Sequence, residues 1–248
     1  MQRRPRLVSP TLVAVAHGSR DPRSPATIDS LVAGLRRARP SMPVLPAYLE
    51  LSAPPLDEVL DEVDTESVLV PLLLGHAYHA GVDIPTAVER ARRRRPSLRV
   101  AVADVLGPDE RLESAALRRL AEAGIRPGTP EVGVVLAGAG SSQEQSNSLV
   151  RRVAEDWARH HGWAGVVPAF ASATGPTAAE AVAELRAAGA ERIAVAPWFL
   201  APGLLLNRVI EGVRADEPAA VLAEPMGAAP ELVDLVLDRY AAAARSSG

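Results

Sequence analysis

The stretch AYLELSAPP at residues 47–55 returns as AFASATGPT at 169–177, a constant offset of 122. Working outward from this pair, SVLVPLLL (67–74) lies against IAVAPWFL (193–200), and ADVLGPDERL (103–112) lies against AEPMGAAPEL (223–232). The repeated unit of about 120 residues is far longer than a solenoid repeat and has the size of a domain. The chain therefore reads as two similar domains made by duplication, 1–125 and 131–248. Between them, GIRPGTPE (124–131) has the Gly/Pro-rich composition of a linker.

Each half alternates short apolar runs with amphipathic stretches. In the first half strands are expected at 11–16, 44–50, 67–74 and 98–104, and helices at 25–39, 56–63, 83–94 and 109–123. The second half repeats them, with strands at 132–138, 166–171, 192–200 and 219–224 and helices at 144–160, 177–188, 204–214 and 230–244. Pro85 is read as the opening of the third helix. Strands alternating with helices imply right-handed βαβ units. The expected fold is α/β: two tandem flavodoxin-like domains, each a small parallel sheet flanked by helices.

Composition excludes several function classes. The formal net charge of −3 argues against general nucleic-acid binding, which needs a positive excess to neutralise phosphates. With no cysteine there can be no disulfide, Cys-ligated zinc or iron–sulfur cluster. The apolar run before His17 is shorter than the ~7–15 residues of a signal-peptide core and the ~20 of a membrane span. A cytoplasmic protein with no membrane or nucleic-acid partner is expected. RARRRRPSLR (90–99) reads as an exposed last helical turn, where positive charge suits the macrodipole. GAGSSQ (138–143) mimics a dinucleotide loop, but Gln143 stands at the third glycine position.

Ligands of open parallel sheets bind beyond the carboxyl ends of the strands. In the first half those ends carry His17 in HGSRD, Glu50, and the loop with His76 and His79 in LLLGHAYHAGVDIP (72–85). The second copy supplies a comparison. Ala139 stands opposite His17, Ser172 opposite Glu50, and APGLLLN (201–207) opposite the histidine loop. The apolar framework recurs and the polar groups do not, so they belong to one site rather than to the scaffold. Imidazole with carboxylate suits Fe(II), Co(II), Ni(II) or Zn(II), and histidine can also accept a proton near neutrality.

HGSRDPRS, YLELSAPP and VPLLLGHAYHAGVDIP together resemble the sirohydrochlorin chelatases, in their two-domain form. The resemblance is strong over the first half and degenerate over the second. It implies two chelatase-like domains with a tetrapyrrole cleft between them. It also implies an ATP-independent lyase inserting Fe(II) or Co(II) into sirohydrochlorin for siroheme or cobalamin synthesis. The metal would be a substrate, and no tightly bound cofactor is expected. On this reading His17, Glu50 and His79 hold the metal, His79 standing four residues before Asp83-Ile84-Pro85. The extra His76 departs from the family pattern and leaves the choice between the two histidines open. The acidic rim of the macrocycle calls for cations, for which Arg20, Arg23 and Arg208 are candidates. One cleft completed within a monomer is expected. A metal or tetrapyrrole carrier without turnover and a nucleotide-binding α/β protein are the alternatives.

Overall fold

The computed structural model describes residues 9–63, 66–75 and 78–246, and at 78–81 the backbone. The first half runs β1 (Thr11–Ala16), α1 (Arg23–Ala38), β2 (Val44–Tyr48), α2 (Leu56–Glu62), β3 (Glu66–Pro71), α3 (Tyr78–Arg94), β4 (Arg99–Val102) and α4 (Glu110–Glu122). The second runs β5 (Val132–Gly138), α5 (Glu144–His160), β6 (Gly165–Phe170), α6 (Ala178–Ala187), β7 (Arg192–Pro197), α7 (Leu204–Asp216), β8 (Val221–Leu222) and α8 (Pro230–Ser246).

Two four-stranded parallel sheets result, in the orders β2-β1-β3-β4 and β6-β5-β7-β8. Their identical topology bears out the duplicated α/β architecture. The central strands are buried on both faces, which is why TLVAVA and VGVVLAG are unbroken apolar runs. Alternate residues serve different cores. Leu12, Ala14 and Ala16 of β1 face one cluster, and Val13 and Val15 face another with α2 and α3. In the second sheet Val135 and Ala137 likewise meet α6 and α7.

The remaining cluster is shared by both halves. It joins Leu31 and Leu35 of α1, Leu112 and Leu120 of α4, Val153 and Trp157 of α5, and Leu235 and Val236 of α8. The terminal helices are exchanged: α8 follows the second sheet but packs on β3 and β4, while α4 follows the first sheet but packs on β7. α4 and α8 also pack on each other. Arg118 on α4 pairs with Glu231 on α8, and Arg239 of α8 donates to the Val105 and Leu106 carbonyls.

Several boundaries differ from expectation: β3 and β7 each end three residues early, β4 and β8 are shorter than expected, and the third helix starts earlier. α3 begins at Tyr78, and Pro85 lies inside it. Proline removes one intrahelical N–H, but its φ is compatible with the helix, and burial of the following face compensates. Ile84, Ala87 and Val88 are all buried against the first sheet. His79 therefore sits in the first turn of a helix rather than in a loop.

Candidate metal centre

The strand order reverses direction between β1 and β3, so the crevice beyond their carboxyl ends is the first sheet's switch point. His17 follows β1 there, and α3 begins seven residues after β3 ends. Backbone pairing carries β1 and β2 on past their ends: the Leu49 N–H donates to the Ala16 carbonyl and the Glu50 N–H to the His17 carbonyl, both at 3.0 Å. That register brings the two side chains together, with His17 Nε2 3.0 Å from Glu50 Oε1. Both are partly exposed, at 39% and 52% of the side chain, and so open to solvent.

The rest of HGSRD builds the platform under this pair. Gly18 has φ +99°, and a Cβ there would stand 1.7 Å from the Glu50 carbonyl oxygen, so only glycine fits. The Ser19 N–H donates to Ser52 Oγ at 3.1 Å, and that hydroxyl donates to the Ser19 carbonyl. Ser19 Oγ accepts from the Asp21 N–H. Asp21 is buried and takes both Nε and Nη2 of Arg23, and its carboxyl lies below the usual carboxylate range because of the hydrogen-bonded guanidinium.

The second copy keeps the glycine turn of this platform without the pair. Gly140 has φ +75°, and a Cβ there would meet the Ser172 carbonyl at 1.9 Å. Leu51 and Ala173 both have positive φ. The Ser172 hydroxyl donates to the Ala139 carbonyl, the counterpart of His17. The fold thus retains the turn and has no need of the imidazole or the carboxylate.

Of the other expected site residues, His79 has its backbone in the first turn of α3 and its side chain outside the described residues. His76 lies outside them altogether. Among the described residues no group of three His, Cys, Asp or Glu could hold a metal ion. Arg20 is exposed and has no side-chain partner among the described residues. Arg23 spans the two halves, holding Asp21 and donating to Asn207 Oδ1 of α7 at 3.1 Å. Arg208 is exposed and donates to the Ala171 carbonyl. The second half closes on the turn: a Cβ at Gly203, just before α7, would lie 3.7 Å from Ser19 Oγ. The roles of Gly18, Ser19 and Ser52 were not read from the sequence, although the recurring Gly at 18 and 140 was the available signal. No helix among the described residues is long and apolar enough to cross a membrane.

Comparison with known proteins bears on the fold and the family. The sirohydrochlorin ferrochelatase of Bacillus subtilis is 28% identical over 244 residues, covering 95% of this chain and 92% of that protein. The sirohydrochlorin cobaltochelatase of Methanopyrus kandleri is 30% identical over 134 residues, covering 44% of this chain but 94% of its own length. The structure of SirB from Bacillus subtilis with Fe3+ superposes with a TM-score of 0.76 at 25% identity, over 96% of this chain and 97% of SirB. The CbiX family model matches twice, at residues 11–123 and 133–243, once on each half of the duplication. The chain is a member of the CbiX family.

Proposed function

We propose that the protein is a sirohydrochlorin chelatase, inserting Fe(II) or Co(II) into sirohydrochlorin without ATP, in siroheme or cobalamin biosynthesis. The observation that carries the reading is the His17–Glu50 pair, 3.0 Å apart at the switch point of the first sheet. It stands on a glycine turn that the second copy preserves without either side chain. Residues 1–125 hold the metal and residues 131–248 close the cleft within a monomer, in the cytoplasm. His79 supplies the third ligand from the first turn of α3.

Metal insertion releases two pyrrole protons from the macrocycle. Neutral His17 and His79 present the ion on one face of the ring; as pyrrole nitrogens replace the protein ligands on the metal, the Glu50 carboxylate takes up one of the two protons and an imidazole released from the metal takes the other, both passing on to solvent. Ligation requires deprotonated imidazole, so insertion weakens as the histidines protonate in acid. Arg20, Arg23 and Arg208 meet the acidic rim.

The test is anaerobic metalation of sirohydrochlorin followed by absorbance, with Fe(II) and Co(II) in parallel. Multiple turnovers are expected for the native protein and their loss for His17→Ala and His79→Ala. Tetrapyrrole binding with no acceleration over the uncatalysed rate would instead identify a carrier.

A further inference from the structure

A cavity of about 540 Å³ lies at the amino ends of β3 and β4, the end of the first sheet opposite the metal pair. Its size falls within the ~300–1,000 Å³ of ligand pockets. The wall joins β3 and β4 to the last turn of α3 and to the end of the exchanged helix α8, which contributes Ala244. The most buried polar residue in this wall is Ser67, 2% exposed, and its hydroxyl has no hydrogen-bond partner among the described residues. Buried polar groups are ordinarily satisfied, so an orphaned hydroxyl beside a cavity calls for a partner from outside the fold.

The duplication shows that the scaffold does not ask for this hydroxyl. Ser67 and Ile193 are the second residues of β3 and β7, in register with Thr11 and Gly133 of the two central strands. Ile193 is 3% exposed and belongs to the core that α6 and α7 cover. Where the second copy places an apolar side chain in a core, the first places a hydroxyl beside a void.

Charge at the cavity is also unbalanced. Arg99 is matched by Glu66 at 3.1 Å. Arg92, in the last turn of α3, has no carboxylate partner among the described residues and donates through Nη2 to the Val100 carbonyl at 2.9 Å. Val100 brings the two features together: it pairs in register with Ser67, and its carbonyl holds Arg92. Val100 and Leu98 supply apolar surface beside them. The site therefore offers one uncompensated guanidinium, one free hydroxyl and an apolar wall.

We infer that this cavity binds a small organic monoanion, a carboxylate on an apolar body. The remaining N–H donors of Arg92 suit the two oxygens of a carboxylate. The Ser67 hydroxyl gains its missing partner from the same head group, and the body covers Leu98 and Val100. The six-residue length of β1, about 20 Å, separates this site from the His17–Glu50 pair, so it stands whether or not the protein is a chelatase.

The test is titration of the isotope-labelled protein with sodium hexanoate, followed through its amide resonances, with acetate and hexanol in parallel and with Ser67→Ala and Arg92→Gln. Hexanoate should shift residues 66–68, 92 and 98–101 to saturation. It should bind about tenfold or more tighter than acetate, which lacks the chain, and than hexanol, which lacks the charge. Arg92→Gln should weaken hexanoate about tenfold or more and Ser67→Ala about threefold or more. Ser67→Ala should melt no lower than the native protein, because the hydroxyl it removes has no partner in the fold. Acetate binding as tightly as hexanoate would reduce the site to an exposed arginine and overturn the proposal. So would no hexanoate binding, shifts that map elsewhere, or an affinity unchanged in either variant. A melting temperature clearly below native for Ser67→Ala would show a hydroxyl already satisfied within the fold and would overturn it as well.

Discussion

Replacing Gly18 by alanine separates the demands of the fold from those of the metal, because Gly140 repeats the same geometry without the ligands. The new methyl at position 18 would stand 1.7 Å from the Glu50 carbonyl oxygen, and at position 140 1.9 Å from the Ser172 carbonyl. Neither carbonyl belongs to a flexible side chain, so the strand end must retreat by about 1.5 Å or more to reach ordinary contact. Left-handed φ adds about 1–2 kcal/mol at either site. Each variant should lose about 2–4 kcal/mol of stability in urea unfolding, within the range of strained backbone substitutions. Their metal binding should diverge. A retreat of that size at Glu50 breaks its 3.0 Å approach to His17, and misplacing one ligand costs about 10–100-fold in affinity. Calorimetric titration with Co(II) should show Gly18→Ala weakened at least tenfold and Gly140→Ala within twofold of native. Equal weakening in both, or none in Gly18→Ala, would refute the assignment of the first-half turn as the metal platform.

Arg20→Ala should raise the KM for sirohydrochlorin several-fold with kcat and melting temperature unchanged, since its side chain is exposed and has no partner among the described residues; steady-state kinetics decide it. Arg23→Ala should raise KM and also lower stability, because it frees buried Asp21 of its guanidinium. Asp109, the N-cap of α4, is held below the usual carboxylate range by the hydrogen-bonded Arg111 guanidinium, with Arg239 of α8 adding to it. A depressed carboxyl stabilises the fold above its unfolded value near 4, and the gain is lost as pH falls through the folded value. Asparagine caps a helix about as well as aspartate, so Asp109→Asn should unfold more readily at pH 7 and converge on the native protein as pH falls through the depressed folded value. A stability gap that is constant with pH would refute the ion-pair account.

Much of this arrangement could be read from the residues. Unbroken apolar runs marked the central strands, and strand ends located His17 and Glu50, because a polar group following a buried run has few other places to stand. The start of α3 was not legible, since Pro85 has the same local signature at a first turn as inside a helix whose face is buried. The exchange of α4 and α8 was not legible either. Leu112, Leu120, Leu232 and Leu235 show an amphipathic period that is the same whichever sheet they cover. Nor could the exposed Leu204 and Leu205 be told from core leucines, because exposure is a tertiary property. His76 lies outside the described residues, and sequence spacing alone favours His79 over it.

The exchange of α4 and α8 bears on how such a chain came to be. A half-length copy folding alone would leave one sheet face uncovered, and its own last helix would have nowhere in that copy to lie except across that face. Two copies trading those helices would cover both faces at once, a reciprocal swap of the kind that makes dimers at little cost. Joining the C-terminus of one copy to the N-terminus of the next would convert the pair into a single chain with each helix already in place. The match to the Methanopyrus kandleri protein has the span of one such copy, covering 44% of this chain and 94% of that protein. Once joined, the two copies no longer needed to be alike, and one wall of the shared crevice could give up its polar groups while the other kept them.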